Sequence, residues 1–576
     1  MINIEKMIRS KYPKLKNNKI IKAAIHKFSD SIIHQDEINS FVKKNSNLGS
    51  FEFIDEVLDY FDFNYTTRDK DIENIPSSGR VVIIANHPLG ALDSFALLKL
   101  ISKVRKDIKI VANDFLGEFS ALDSLLITID NSKARQKKEA IQKIHATLDE
   151  DMALIIFPSG EVSRVSSTGI KDKKWYKGFL KFAYRTNSPI LPVFISGKNS
   201  KTFYSISAIN KKLSTMLLSN EMFKQKNKTI DITVGEIIPY ENIRPKGLIQ
   251  SKIIELYKKH VYNLKQKKSF FLTQKAIAHP EDPRDIKKEL KKSQLLGSTK
   301  DNKKIYLYSS SDKNSPLLNE IGRLREYSFR KVGEGVNKKR DLDKYDRYYK
   351  HIVLWDEENL EVVGAYRIAE CKNIIHELGK DALYITTLFK LNDTFDTYLD
   401  NAIELGRSFV QPKYWGSRAL DYLWQGIGAY IRKNPDIRYL YGALSLSDSY
   451  SKIAKDTLLY FFDKNFKDKK NLVQAKIPYN FLNDKGLIQR LKHEFNLTTY
   501  KENFKSLKQS LHMMDASVPT LYKQYSDLSD DSGVKFCAYT IDPDFSNCVD
   551  SFILIDIKKI KPSHKKRYFQ EVDDEK

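Results

Sequence analysis

Between Val81 and Ser196 short apolar runs alternate with amphipathic stretches, and this alternation limits the fold more than any other feature of the 576-residue chain. VVIIAN, KIVAND, ALIIFPSG and PILPVFIS read as buried strands, while LLKLISKVRK and the charged stretch from Ala134 to Leu148 read as helices. Strand and helix taking turns make an α/β domain, with helices packed on a sheet. A chain this long suits two domains, each burying its own core. The boundaries read as an N-terminal helical segment over 1–80, a first domain over 81–274, a linker over 275–303 and a second domain over 304–576. The linker, read with some helix in it, rests on dense charge and on Pro280 and Pro283. In the second domain KKIYLYSS opens as a strand, a Leu/Arg helix runs from Asn319 to Val332, HIVLWD and EVVGAYRIAE form a hairpin, and IELGRSFV leads into the helix of WGSRALDYLWQGIGAYIRK.

Cys371, Cys537 and Cys548 are too few and too scattered for a disulfide framework or a zinc cluster, so a reducing compartment and no metal centre are expected. The basic N-terminus lacks the apolar stretch of a signal peptide, and no segment reaches the ~18 apolar residues of a membrane span. The expectation is a cytoplasmic protein without a span. Its formal charge of +24 attracts polyanions, whether nucleic acid, anionic lipid or an acidic carrier protein. Charge alone does not choose among them.

ANHPLGALD places His87 and Asp93 just past a buried strand, at the edge where α/β proteins keep their chemistry. A histidine held by a carboxylate takes the proton of a hydroxyl as that oxygen attacks a thioester. Downstream, FPSGEVSR follows another strand and offers backbone donors at Gly160, a carboxylate at Glu161 and a guanidinium at Arg164 suited to bidentate contact with an anion. A lone His–Asp pair is more often structural, but two blocks in order at strand ends, followed by GFLKFAYRTNSPILPVFISG, point to chemistry. These residues resemble the glycerophospholipid acyltransferase superfamily, in its lysophospholipid acyltransferase or hemolysin-like branch. Five residues separate His87 from Asp93 instead of that superfamily's four, which is the branch's His-Pro-x-Gly-x-x-Asp form. Ser159 stands where the second block has Glu, and Arg164 comes two residues late, which weighs against a phosphate-bearing acceptor. The resemblance implies His87 as general base, Asp93 as its orienter, and Glu161 and Arg164 as acceptor ligands.

In the second half ionisable residues gather in four clusters: Arg325 with Phe329, Asp343 with Asp346, Arg367 in VGAYR, and Glu404 with Arg407 in ELGR. Equal numbers of acids and bases there make a buried charge network that holds a pocket open or serves structure alone. The clusters resemble the acyl-homoserine-lactone synthases and the related ornithine N-acyltransferases, which have the GNAT fold and take acyl groups from acyl carrier protein. No Trp lies in VGEGVNKKRDLD, where the lactone synthases keep one, so the ornithine branch fits better. The resemblance makes Glu404 catalytic and the other members of the clusters substrate ligands. In QPKYWGSRA, at the start of a helix, Lys413, Gly416, Ser417 and Arg418 correspond to the GNAT pantetheine phosphate loop. With a single glycine it suits the one phosphate of a carrier-bound phosphopantetheine better than coenzyme A.

The two halves together resemble the fused ornithine lipid synthases. That resemblance implies N-acylation of an amino acid, ornithine first among glycine and lysine, with a 3-hydroxyacyl group by the C-terminal half. O-acylation of the new 3-hydroxyl by the N-terminal half follows. It implies no bound cofactor, acyl carrier protein as partner, peripheral attachment to the anionic inner face of the cytoplasmic membrane, and no nucleic acid. The alternatives are a hemolysin-like membrane-active protein and a lysophospholipid acyltransferase of phospholipid remodelling.

Overall fold

The computed structural model describes residues 34–112, 119–129, 134–166, 169–209, 214, 217–482, 484–529 and 532–569. The basic N-terminal stretch discussed above lies outside the described residues up to position 33. The chain divides into two compact units, Met1–His279 and Pro280–Lys576.

The first unit is built on β1 (Asn64–Thr66), β2 (Val81–Ala85), β3 (Ile108–Ala112), β4 (Leu126–Thr128), β5 (Ala153–Ile156), β8 (Ile190–Ser196) and β9 (Thr229–Val234), in the order β1-β9-β8-β2-β5-β3-β4. A separate short hairpin joins β6 (Arg164–Ser166) to β7 (Gly169–Lys171). The centre of the sheet is parallel, with β2 bonded to both β5 and β8. Parallel strands covered on both faces read as unbroken apolar runs, and all five residues of β2 are buried. Helices Ala91–Ser102 and Ser50–Tyr60 pack one face, and Ala134–Asp149, Gly178–Arg185 and Gln250–Tyr262 the other. Helix Ser50–Tyr60 spends Phe53, Ile54, Val57 and Leu58 on this core. The segment before residue 81 therefore belongs to the domain, and it adds the edge strand β1 beside β9.

The second unit carries an eight-stranded sheet: β10 (Gln294–Ser298), β11 (Lys303–Tyr308), β12 (Lys350–Asp356), β13 (Glu361–Glu370), β15 (Ala402–Val410), β16 (Tyr439–Leu446), β19 (Cys548–Asp556) and β18 (Val534–Asp542) in spatial order. A two-stranded ribbon pairs β14 (Phe389–Leu391) with β17 (Val473–Ala475). The segment read as a linker with some helix in it spans the division between the two units and has regular structure of its own. It holds helix Pro283–Leu290, anchored by Ile286 and Leu290, and β10, the edge strand on β11.

Two irregularities in this sheet shape the site. The ladder between β15 and β16, a parallel pair, runs from Ala402/Tyr439 to Leu405/Gly442. Beyond it β15 stays with β13 up to Val410 and β16 stays with β19 up to Leu446, so the two strands part in a V. The second is a bulge in β15 opposite Ala365 and Arg367, where Arg407 takes φ of 48°. Bulges insert one residue and re-aim the side chains after it. Glu404 and Arg407, three apart, would face opposite sides of a regular strand. Here both reach the same face, where Tyr349 touches Glu404 and Tyr384 touches Arg407.

Candidate functional site

In the first unit both motif blocks leave the same edge of the sheet, His87 just past β2 and Phe157 just past the neighbouring β5. Asn86 continues the β2–β8 ladder with its side-chain amide, donating to Ile195 O at 2.8 Å and accepting from Ile195 N at 2.7 Å. That fixes the direction in which the chain turns into His87. Asp93, fully buried, accepts from Leu89 N at 2.8 Å and Gly90 N at 3.1 Å, capping helix Ala91–Ser102 with the same carboxylate that meets His87. His87 Nδ1 lies 3.3 Å from Asp93 Oδ2, and the ring stacks on Phe157 with centroids 4.1 Å apart. Burial pulls the imidazole pKa down, but Asp93, with Asp172 behind it, outweighs burial and raises it. Nδ1 faces Asp93, so Nε2 is the nitrogen left to exchange a proton with an acceptor hydroxyl.

The second block forms a tight turn, with Gly160 at φ of 63° donating its N–H to Phe157 O at 3.0 Å, and Ser159 Oγ donating to Glu161 O at 2.7 Å. Ser163 N donates to His87 O at 2.7 Å, which joins the two blocks. Asp172 locks them from behind: it accepts from Ser163 Oγ at 2.6 Å, Trp175 Nε1 at 2.9 Å and His87 N at 3.3 Å. No sequence signal marks Asp172, because folding brings it to His87 and Ser163 from outside both motif blocks. Arg164 departs from its expected place. It is 2% exposed, donates to Ser207 Oγ at 2.6 Å and to Ser214 Oγ, and packs on Phe203, with Glu161 Oε2 at 4.0 Å. Interior hydroxyls from residues far along the chain thus engage a guanidinium that the motif places at the acceptor. A small apolar pocket lined by Phe41, Phe53, Val57, Phe95 and Phe119 reaches Ala91 in the first turn of the helix that carries Asp93.

In the second unit the four clusters converge. Helix Pro316–Lys331 presents Arg325, which donates to Asp346 Oδ1 at 2.6 Å. Asp343 and Asp346 form a capping box at the 3-10 turn Lys344–Arg347, which accounts for their three-residue spacing. Arg367 Nη1 donates to Asp343 Oδ1 at 2.6 Å and lies 3.3 Å from Asp346 Oδ1. Arg407 Nε stands 3.3 Å from Asp341 Oδ2, and its Nη1 donates to Tyr384 OH at 3.2 Å. Burial pushes the Asp346 carboxyl up, but Arg325 and Arg367 hold it well below the carboxylate range. Three arginines and three aspartates balance, as a buried network must. Asp341, Tyr349 and Tyr384 were missed in the sequence; the run DLDKYD was the available signal for the first.

Glu404, 2% exposed, accepts from Tyr349 OH at 2.9 Å with one oxygen and from Ile385 N at 2.9 Å with the other. Burial raises its pKa to about 7. Phe329 lies outside the ion network, edge-on to Phe545 at 5.2 Å. Past the V, Gly416 at φ of 79°, Ser417 and Arg418 are exposed and lead into helix Ala419–Lys433, whose first amide, Ala419 N, donates to Ser417 Oγ at 3.2 Å. Lys413 pairs with Glu361 beside this loop.

A sheet edge with a His–Asp pair and a split sheet with a loop at a helix N-terminus define an acyltransferase of two folds. Residues 7–270 match the family described as acyltransferase, and residues 324–425 match the acetyltransferase (GNAT) domain. A glycine N(alpha)-acyltransferase of Phocaeicola vulgatus is 32% identical over 50% of this chain and 90% of its own length. A lyso-glycine lipid O-acyltransferase of Bacteroides thetaiotaomicron is 30% identical over 46% of this chain and 97% of its own. An L-ornithine N(alpha)-acyltransferase of Brucella abortus is 30% identical over 18% of this chain and 38% of its own. The chain belongs to the family of these amino-acid lipid acyltransferases, with an acyltransferase half followed by a GNAT half.

Proposed function

We propose that this chain makes a diacylated amino-acid lipid by two consecutive acyl transfers. The GNAT half joins a 3-hydroxyacyl group to the α-amine of an amino acid, and the first half esterifies the 3-hydroxyl so created. One observation carries the reading: an N-acyltransferase and an O-acyltransferase, each over at least 90% of its own length, match about half of this chain apiece. A secondary hydroxyl is the acceptor that His87 with Asp93 serves, through Nε2 as general base. Glycine is the amino acid favoured by the longer matches, and ornithine by the shorter ones and by the sequence pattern. The donor is a thioester on acyl carrier protein, whose acidic surface suits a charge of +24 and whose single phosphate suits the loop at Gly416. The same charge holds the enzyme on an anionic bilayer, and no helix among the described residues is long and apolar enough to cross one.

Mass spectrometry of lipids from a host expressing the full chain tests this. A new phosphorus-free diacyl lipid is expected. Its headgroup chemistry names the amino acid, because N-acylated glycine keeps no free amine and stays ninhydrin-negative, whereas N-acylated ornithine stains. Soluble protein with no new lipid, or changed phospholipid chains alone, would refute the reading. Purified enzyme offered carrier-bound and coenzyme A-bound donors side by side identifies the donor.

A further inference from the structure

An amino acid reaches the second site as an ammonium and must lose a proton before its nitrogen can attack. The polar row across the site face of the second sheet, Arg367 on β13, Glu404 and Arg407 on β15 and Ser445 on β16, continues onto β19 as Asp550. Ser445 and Asp550 are direct partners in the β16–β19 ladder. Phe552, two residues on and so on the same face, packs with Tyr349 and Tyr441, which puts Asp550 on the side of Glu404. Asp550 is 2% exposed, and its Oδ1 has no hydrogen-bond partner. Among the described residues it enters no ion pair.

Charged and titratable groups approach it from every side. The turn Gly333–Gly335 is pinned by Ser447 Oγ, which donates to Gly333 O at 3.5 Å, and by Ser546 Oγ, which donates to Gly335 O at 2.6 Å, so Glu334 comes within reach of Asp550. Asp542 comes from the end of β18, Arg407 from β15, Tyr384 from the turn above it, Tyr522 from helix Thr520–Ser526, and Cys548 from β19 itself. Burial lifts Asp550 to about 7, with Asp542 adding to the rise while Ser445 and Arg407 oppose it. Burial and Asp550 lift Glu334 to about 8. Ser445 hydrogen-bonds this carboxylate, yet Oδ1 stays free, and a carboxylate with a free oxygen that titrates near neutrality suits a general base. Glu404 differs, since Tyr349 and Ile385 already engage both of its oxygens.

We propose that Asp550 accepts the proton of the substrate ammonium in the N-acyl transfer, and that Glu404 is a positioning residue holding the Tyr384–Ile385 turn against Arg407. This rests on the N-acylation reading of the GNAT half. Asp550 takes one proton from the ammonium, and the freed lone pair forms the C–N bond at the thioester carbonyl carbon. The tetrahedral intermediate collapses with cleavage of the C–S bond, and the departing thiolate takes a second proton from nitrogen. The products are amide and thiol, and the proton on Asp550 passes to water.

The test follows N-acylation by the purified full chain across neutral pH, with a 3-hydroxyacyl thioester and glycine or ornithine. In the wild type the rate rises through pH about 7 and levels off. Asp550→Asn loses on the order of 100-fold in kcat, keeps its KM for the amino acid, and loses the acid limb; Asp550→Glu recovers part of both. Glu404→Gln keeps the limb and lowers the unfolding temperature. Asp542→Asn, at the end of β18, removes the carboxylate that adds to the rise of Asp550 and moves the limb to lower pH, which reports on Asp550 even if the Asp550→Asn variant folds poorly. An unchanged limb in Asp550→Asn, its loss in Glu404→Gln instead, or no movement in Asp542→Asn overturns the proposal. A wild type that acylates no amino acid overturns the reading beneath it.

Discussion

At His87 one carboxylate performs two tasks, because Asp93 caps a helix and orients an imidazole with the same pair of oxygens. Asp93 raises the His87 pKa above its unfolded value, so the pair adds stability at pH below about 6.5, and that increment is lost as pH rises through the folded pKa. Catalysis runs the other way, since only the neutral imidazole accepts a proton. O-acylation therefore climbs on the alkaline side of that pKa. Asp93→Asn should move the climb to lower pH, reduce the plateau, and cost on the order of 1 kcal/mol through the lost cap, as a pH–rate profile and thermal unfolding will show. His87→Ala should leave N-acylation intact and make the mono-acylated product accumulate. Normal diacyl lipid in that variant removes His87 from the base role. Of this residue set the sequence displayed His87, Asp93 and the turn at Gly160, which are local in the chain. It did not display Asp172 or the burial of Arg164, which depend on partners brought together only by folding.

Among the elements, β15 and β16 do the most to make a site, and Gly442 sets how close they come. A Cβ on Gly442 would stand 2.1 Å from Leu405 O, at the last bonded pair before the strands part. Gly442→Ala should force the pair open, cost about 1–3 kcal/mol, and depress N-acylation while leaving esterification of a supplied mono-acyl amino acid unchanged. Thermal unfolding and the two separate assays read this, and equal loss of both activities would refute it. Most strands and helices here were legible because period and apolar content agree, as in HIVLWD and EVVGAYRIAE, observed as β12 and β13. The bulge at Arg407 was not, since nothing in ELGR marks a left-handed residue other than glycine. Strand β10 looked like linker for a physical reason: this edge strand buries none of its five residues, and the helix expected before it buries only Ile286 and Leu290.

Across the whole molecule, each hydrophobic core lies within one unit, those around Val81–Ala85 and Ile144 in the first and those around Trp424, Phe552 and Trp355 in the second. Separate cores let damage in one half leave the other folded, which turns the order of the two reactions into a measurement. Arg407→Ala removes the guanidinium that stands by Asp341 and Asp343 and opposes Asp550, leaving buried carboxylates uncompensated. N-acylation should fall to background. No 3-hydroxyacyl amine then exists, so the His87 site, although untouched, has nothing to esterify, and both lipids should vanish from cells. Supplying the synthetic mono-acylated amino acid to those cells should restore the diacyl product to the level seen in cells with the wild-type chain. Circular dichroism and solubility establish that the variant protein is folded. Should the supplement fail while both remain normal, the second half must also take part in the ester step, and the division of labour between the units is wrong.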